Sequence, residues 1–128
     1  MTVDKKDDTE LNFRKKIREE TRPWGKFRSF PYEQAKSIKI ITLNPGEALS
    51  LQYHHHRSEF WVVLDTYLEI TIGKKVWRPE QGEEIFIPQK TPHRLRCLGQ
   101  TPSRVMEIWI GDSDEGDIVR LKDDYGRE

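Results

Sequence analysis

The four histidines of this 128-residue chain fall in two places, His54-His55-His56 and His93. On a strand through the first group, Ser50, Gln52, His54 and His56 share one face, and Leu49, Leu51, Tyr53 and His55 share the other. Gln52 and His54 then lie about 7 Å apart along the strand, close enough to reach one ion. Glu59 follows a tight turn and opens the apolar run Phe60-Trp61-Val62-Val63-Leu64, while His93 follows Pro92 on a distant strand. Gln52, His54, Glu59 and His93 together offer an amide oxygen, two imidazoles and a carboxylate. That set suits Zn, Mn, Fe, Co or Ni better than Ca or Mg. Without a thiolate, and with positions left for water, it favours a catalytic or ligand-binding divalent metal over a structural one. The competing reading is a partly solvated histidine pocket that touches an anion.

Such residues need a scaffold that brings 52–59 beside 93. From Pro23 onward the pattern is one of short strands, at 24–30, 37–43, 48–55, 59–64, 66–73, 75–78, 84–87, 93–98 and 104–111. Asn44-Pro45-Gly46, Gly73, Pro79, Gly82, Pro88, Pro92 and Gly99 punctuate them. Many short strands at this spacing predict an all-β sandwich or barrel. By parity Trp61 and Val63 face the interior with Glu59, and Phe60 and Val62 face outward. Leu68, Ile70 and Ile72 form one apolar face. Trp24 reads as a packing anchor and Cys97 as a small buried residue. Residues 1–21 form a polar leader, flexible or partly helical, in which Leu11, Phe13 and Ile17 can seed a turn. An arm packed on a partner subunit is the other reading of the leader. The folded domain is expected over 22–128, with a tail that orders around Ile118, Val119, Leu121 and Tyr125.

Composition narrows the classes. Lys plus Arg and Asp plus Glu are both 22, so the formal charge is zero and no nucleic-acid partner is expected. The single cysteine excludes an intrachain disulfide and a cysteine-based zinc finger. No apolar run approaches the ~20 residues of a membrane helix. The polar opening MTVDKKDDTE is unlike a signal peptide. The expectation is a cytoplasmic single domain with no membrane partner and no room for a second catalytic domain.

Longer strings carry a family resemblance. Gly46-x5-Gln52-x-His54-x4-Glu59 and Gly82-x5-Pro88-x4-His93 resemble the two cupin motifs, with Gln52 where the first His usually stands. Arg22-Pro-Trp-Gly25, Leu49-Ser-Leu-Gln52, His54-His-His-Arg57-x-Glu59-x-Trp61, Pro92-His93-Arg94, Asp117-Ile-Val-Arg120 and Asp124-Tyr-Gly-Arg127 are similar to the type II phosphomannose isomerase domain. That domain usually ends a mannose-1-phosphate guanylyltransferase. The resemblance covers about residues 22 to 127 and implies a cupin double-stranded β-helix, or jelly-roll, barrel. The chain looks like a stand-alone isomerase-type cupin, without the nucleotidyltransferase half. It departs from the family at Phe60 (usually His), Thr66 and Lys90 (usually Gly) and Cys97 (usually Asn).

The resemblance further implies an isomerase acting on a sugar phosphate, mannose 6-phosphate to fructose 6-phosphate, through an enediol. A divalent ion at Gln52, His54, Glu59 and His93 would stabilise the enediolate. Arg57, beside that cluster, suits the phosphate or the enediolate oxygen. Arg120 and Arg127 fit the family's tail pattern and are candidates for the phosphate. His56, on the ligand face, is the candidate base; Lys90 and Glu107 stay open. Loss of a His at Phe60 is expected to remove a proton-transfer or orienting group. The departures at Phe60 and Thr66 favour a non-catalytic cupin binding a sugar phosphate or nucleotide sugar; another metal-dependent cupin enzyme is the further alternative. Pairing through outer strands, by analogy with small cupins, makes a homodimer the expected assembly.

Overall fold

A half-buried strand has one apolar face, so its sheet needs a second layer against it. The computed structural model, which describes residues 8–127, solves this with two facing antiparallel sheets. In chain order the elements are α1 (Thr9–Lys15), β1 (Arg18–Arg22), β2 (Gly25–Ser29), β3 (Ala35–Leu43), β4 (Leu51–Tyr53), β5 (Ser58–Val63), β6 (Leu68–Ile72), β7 (Lys75–Trp77), β8 (Glu84–Ile87), β9 (His93–Cys97), β10 (Ser103–Ile110) and β11 (Val119–Lys122). One sheet runs β3-β10-β5-β8 and the other β11-β4-β9-β6-β7. Trp61, Val63, Ile85, Ile87 and Val105 from the first pack between the sheets against Leu68, Ile70, Leu95 and Cys97 from the second. The all-β barrel is therefore the observed architecture.

β5 is buried on both faces. Its inward residues join the barrel core, as parity predicts. Its outward Phe60 is covered by α1, whose Phe13 ring sits 4.8 Å from it, and by Phe30 at 5.8 Å. Ile108 and Ile110 complete this outer cluster. Burying the Phe13 side chain contributes roughly 1.5–3 kcal/mol, which docks α1 on the sheet. Residues 1–7 of the expected leader lie outside the described residues. Its remainder contains α1 and β1, and β1 pairs with β2 from Arg18↔Ser29 to Arg22↔Gly25. A domain boundary at residue 22 would thus run through a hairpin. Both faces of that hairpin are exposed, so its charged strand shows no hydrophobic alternation to read. Arg28 ties it to Glu84 on β8 at 2.8 Å.

β4 is shorter than the expected 48–55 strand and ends at Tyr53. The next backbone donors turn away from the sheet: His55 N and His56 N donate to the Asp117 carboxylate at 2.8 and 2.9 Å. Lys90 adopts φ +63°, the left-handed region that makes glycine usual at its position in the resembling family. Its N–H donates to the His54 carbonyl at 2.8 Å, so this turn braces the histidine segment. Among the described residues no helix is long and apolar enough to cross a membrane.

Candidate metal centre

Three strands of the second sheet put Arg120, Gln52 and His93 in one cross-strand row, from β11 through β4 to β9. His54 follows the end of β4, and Glu59 reaches the same point from β5 in the opposite sheet. The ligand atoms of His54, Glu59 and His93 lie within 4.8 Å of one another. All three side chains are 1–2 % exposed. His54 Nε2 is 3.0 Å from Glu59 Oε2, and His93 Nε2 is 3.6 Å from Glu59 Oε1.

The other ring nitrogens decide what this cluster can do. His54 Nδ1 donates to the Asp117 carbonyl at 2.7 Å, and His93 Nδ1 donates to the Thr91 carbonyl at 2.9 Å. A carbonyl only accepts, so both Nδ1 atoms carry a proton, and in the neutral ring the Nε2 lone pair faces Glu59. His93 Nε2 is buried and has no hydrogen-bond partner. Two lone pairs aimed at a carboxylate repel unless a cation lies among them. Carbonyl-fixed imidazoles of this kind are how proteins orient metal-ligating histidines. The residues therefore fit a divalent ion held by two imidazoles and one carboxylate, a donor set for Zn, Mn, Fe, Co or Ni.

Burial works against charge on Glu59. Once protonated, the imidazoles nevertheless hold its carboxyl below the usual range, His54 by a hydrogen bond and both His93 and His54 by their charge. Trp61 Nε1 donates to Oε1 at 3.0 Å and Arg57 Nε to Oε2 at 2.9 Å. Burial lowers the His93 imidazole against the pull of Glu59. Glu107 is buried too, and burial together with the Glu59 charge pushes its carboxyl up to about 8. It stays protonated at neutral pH and hydrogen-bonds Glu59, while Trp109 Nε1 donates to its Oε1 at 2.6 Å. Asp117, despite a desolvation cost, is held to about 2 by the His55 and His56 backbone donors and Ser113.

Of the four ligands expected from sequence, His54, Glu59 and His93 converge, and Gln52 stands beside them. The Gln52 oxygen accepts from Ser50 Oγ at 2.6 Å, and its Nε2 is 3.5 Å from His54 Nε2. A half-turn of the amide would exchange the two atoms and give the site an oxygen, with Ser50 Oγ as the new acceptor. His56 does not share the ligand face: β4 has ended, and the side chain is exposed on a cavity of about 650 Å³ lined with Lys36, Ser113, Asp114 and Asp117.

Arg57 is buried beside the trio, but its donors are engaged. Nε binds Glu59, Nη2 lies 3.3 Å from His54 Nε2, and Nη1 donates to Ser113 Oγ at 3.2 Å and the Asp114 carbonyl at 3.1 Å. The guanidinium also lies over the Trp109 ring, 3.5 Å from its centroid. Arg120 is half-buried, and its Nε has no hydrogen-bond partner. Arg127 is forked onto Asp123 at 2.9 and 3.1 Å.

Phe60 corrects one expectation. Its side chain packs outward on Phe13, so the change from His alters packing behind the sheet and removes no group from the His54–Glu59–His93 cluster. Sequence reasoning missed the loop 112–117, which supplies Ser113, Asp114 and Asp117 to the site. The string Asp117-Ile-Val-Arg120 marked its end, but no spacing rule links it to His54, 63 residues earlier.

Two facing antiparallel sheets with a His–Glu–His cluster between them define a cupin, the double-stranded β-helix barrel. The chain belongs to the family described as mannose-6-phosphate isomerase C-terminal, which it matches over residues 7–123. It is 41% identical over 107 residues to xanthan biosynthesis protein XanB of Xanthomonas campestris pv. campestris, covering 83% of this chain and 23% of that protein. It is 41% identical over 111 residues to mannose-1-phosphate guanylyltransferase ManC of Salmonella typhimurium, covering 86% of this chain and 23% of that protein. The chain thus spans less than a quarter of the length of these relatives. Among solved structures, a dTDP sugar isomerase from Desulfovibrio desulfuricans G20 superposes with a TM-score of 0.64 at 14% identity, covering 85% of this chain and 82% of that one. That likeness concerns the fold.

Proposed function

We propose that this chain is a metal-dependent isomerase that interconverts mannose 6-phosphate and fructose 6-phosphate through an enediol. The observation that carries the reading is the convergence of two carbonyl-fixed imidazoles on one buried carboxylate. Membership of a family described by mannose-6-phosphate isomerase, and relatives named for mannose 1-phosphate chemistry, support the substrate class.

Aldose–ketose exchange moves a proton between C2 and C1 and builds negative charge on the carbonyl oxygen. A divalent ion held by His54, Glu59 and His93, with Gln52 as a fourth ligand, supplies Lewis acidity worth several kcal/mol, as an order of magnitude. Asp117 and Thr91 hold the two imidazoles in the tautomer that leaves Nε2 free. In the metal-free site Arg57 holds Glu59 and His54 in place, so it acts as a positioning residue. Arg120 is the proposed phosphate group's partner: it shares a row with Gln52, and its unpartnered Nε–H suits a phosphate oxygen. Arg127, already forked onto Asp123, closes the tail instead. His56, on the cavity above the loop, is the proposed proton carrier.

A second reading, a non-catalytic cupin that binds a sugar phosphate or nucleotide sugar, is favoured by one observation: the trio is sealed at 1–2 % exposure. Phosphorylated sugars are cytoplasmic metabolites, and that compartment is part of the proposal. So is a homodimer, supported by β3, an edge strand on which Ile38 and Ile40 are 60% and 58% exposed.

The test is incubation of metal-reconstituted protein with mannose 6-phosphate, following fructose 6-phosphate. Turnover that disappears with EDTA and in His54→Ala supports the isomerase. No turnover with Mn, Co, Zn, Ni or Fe sinks it; saturable binding of mannose 6-phosphate would then favour the binding module.

A further inference from the structure

His54, Glu59 and His93 are sealed from solvent, yet a metal and a sugar must both reach them. The loop 112–117 lies against the site, tied to it by Asp117, whose carbonyl accepts from His54 Nδ1, and by Arg57, which binds Ser113 Oγ and the Asp114 carbonyl. Exposed ion pairs from Lys36 to Asp112 at 3.7 Å and from Lys39 to Glu115 at 3.1 Å tie its outer side to β3. The loop itself is mostly exposed. It starts at Gly111, φ +120°, where an added Cβ would meet the His56 carbonyl oxygen at 2.7 Å, so glycine is required at that end.

Arg57 contacts the trio through Nε and Nη2 while its guanidinium lies over the Trp109 ring. Nε and Nη2 form one fork, which bridges Glu59 Oε2 and His54 Nε2. Those are two of the atoms that a metal ion needs. The guanidinium is the cation that reconciles the His54 lone pair with the carboxylate in the metal-free protein. A divalent ion and the Arg57 fork therefore compete for one lone pair, and their like charges repel at short range in a buried site.

We propose that Arg57 is a latch: it holds loop 112–117 closed over the metal-free site, and metal loading at His54 and Glu59 displaces its fork and releases the Ser113–Asp114 end of the loop. This rests on the metal reading of the site given above. Asp117 stays, because its carbonyl holds the Nδ1–H of a histidine whose Nε2 has become a ligand. The release is thus confined to residues 112–116. It opens the cavity bearing Lys36 and His56 toward the trio. Access for the sugar then follows metal loading instead of preceding it, and Arg57 serves as a positioning residue whose contacts change with the state of the site.

Zinc titration of the whole chain, read by chelator competition, amide hydrogen exchange and near-ultraviolet circular dichroism, tests this. Bound zinc is expected to slow exchange across the barrel while residues 112–116 exchange faster. The near-ultraviolet signal should change as the guanidinium leaves the Trp109 face, and Trp109→Phe should lose that change. Arg57→Met should show the fast loop without metal and bind zinc more tightly, by roughly ten- to a hundredfold, the size of effect that neighbours of metal ligands commonly exert. Arg57→Lys, which keeps the charge but lacks the fork, should free the loop with a smaller gain in affinity; it also stands in if the Met variant does not fold. Zinc that binds while the loop slows with the rest of the barrel overturns the latch and leaves the metal reading intact. So does an Arg57 variant that binds zinc no better than the native chain. If no zinc binds to any variant, the metal reading fails and the latch fails with it.

Discussion

The two ends of the barrel interior are built from the same strands by opposite chemistry. Along β5 the inward residues run Glu59, Trp61, Val63; along β9 they run His93, Leu95, Cys97; along β10, Glu107 then Val105. At one end Val63, Leu95, Cys97 and Val105 pack with nothing to satisfy beyond the cysteine thiol. At the other, charged and polar groups are buried as deeply and are held by named partners. Trp61 and Trp109 mark the border, each burying its ring while its Nε1–H donates to a glutamate. The apolar end holds the barrel together by burial and tolerates substitutions of similar shape. The polar end depends on a network that leaves only His93 Nε2 of the trio unpartnered, and in which removing one member harms more than removing a pair.

That asymmetry can be broken deliberately. In the metal-free protein, Glu59→Leu leaves the Arg57 guanidinium buried without its carboxylate, and about 3–5 kcal/mol of stability should be lost in urea unfolding. Replacing Arg57 and Glu59 together by Leu should restore most of it, and a double variant as unstable as the single one would contradict the network account. At the apolar end Leu95→Ala should cost about 2–5 kcal/mol by opening a cavity, with His54, Glu59 and His93 undisturbed.

The pH dependence separates the ends again. Between the ordinary Glu value of 4.5 and about 8, folded Glu107 keeps a proton that the unfolded chain has released. Stability of the metal-free protein should therefore fall as pH rises across that window. Glu59, whose carboxyl is lowered, contributes the opposite slope, lost as pH falls below 4.5. Urea midpoints measured across the range should show the decline, and Glu107→Gln should flatten it; a flat native profile would place Glu107 outside the network. The smallest effect is expected at Lys90→Gly. Relief of the left-handed backbone, offset by added freedom in the unfolded chain, should stabilise by about 0.5–1 kcal/mol in the same assay.

The barrel was legible in the sequence because burial follows parity: β5, β6, β8 and β9 alternate or run apolar where their neighbours demand it. His54, Glu59 and His93 were legible for a related reason, since a strand end, a strand start and a Pro–His step each fix a direction. His56 was not, because the Asp117 carboxylate pulls the His55 and His56 amides into a turn, and alternation stops at Tyr53. Nor was the engagement of Arg57, whose partners Ser113 and Asp114 lie 56 and 57 residues away in an exposed acidic loop. Phe13 showed only as one aromatic residue in a polar segment; that it caps Phe60 depends on the outer face of a sheet that no local pattern describes.

The central claim, that the polar end is a metal centre, is tested most directly by counting bound divalent ions per chain after reconstitution and gel filtration, for the native protein and for His93→Ala. One ion per native chain, lost in the variant while the fold persists, is the predicted result. A native chain that retains no ion, or a His93→Ala variant that retains one as tightly, would contradict it and leave Arg57 as the cation that the site was built around.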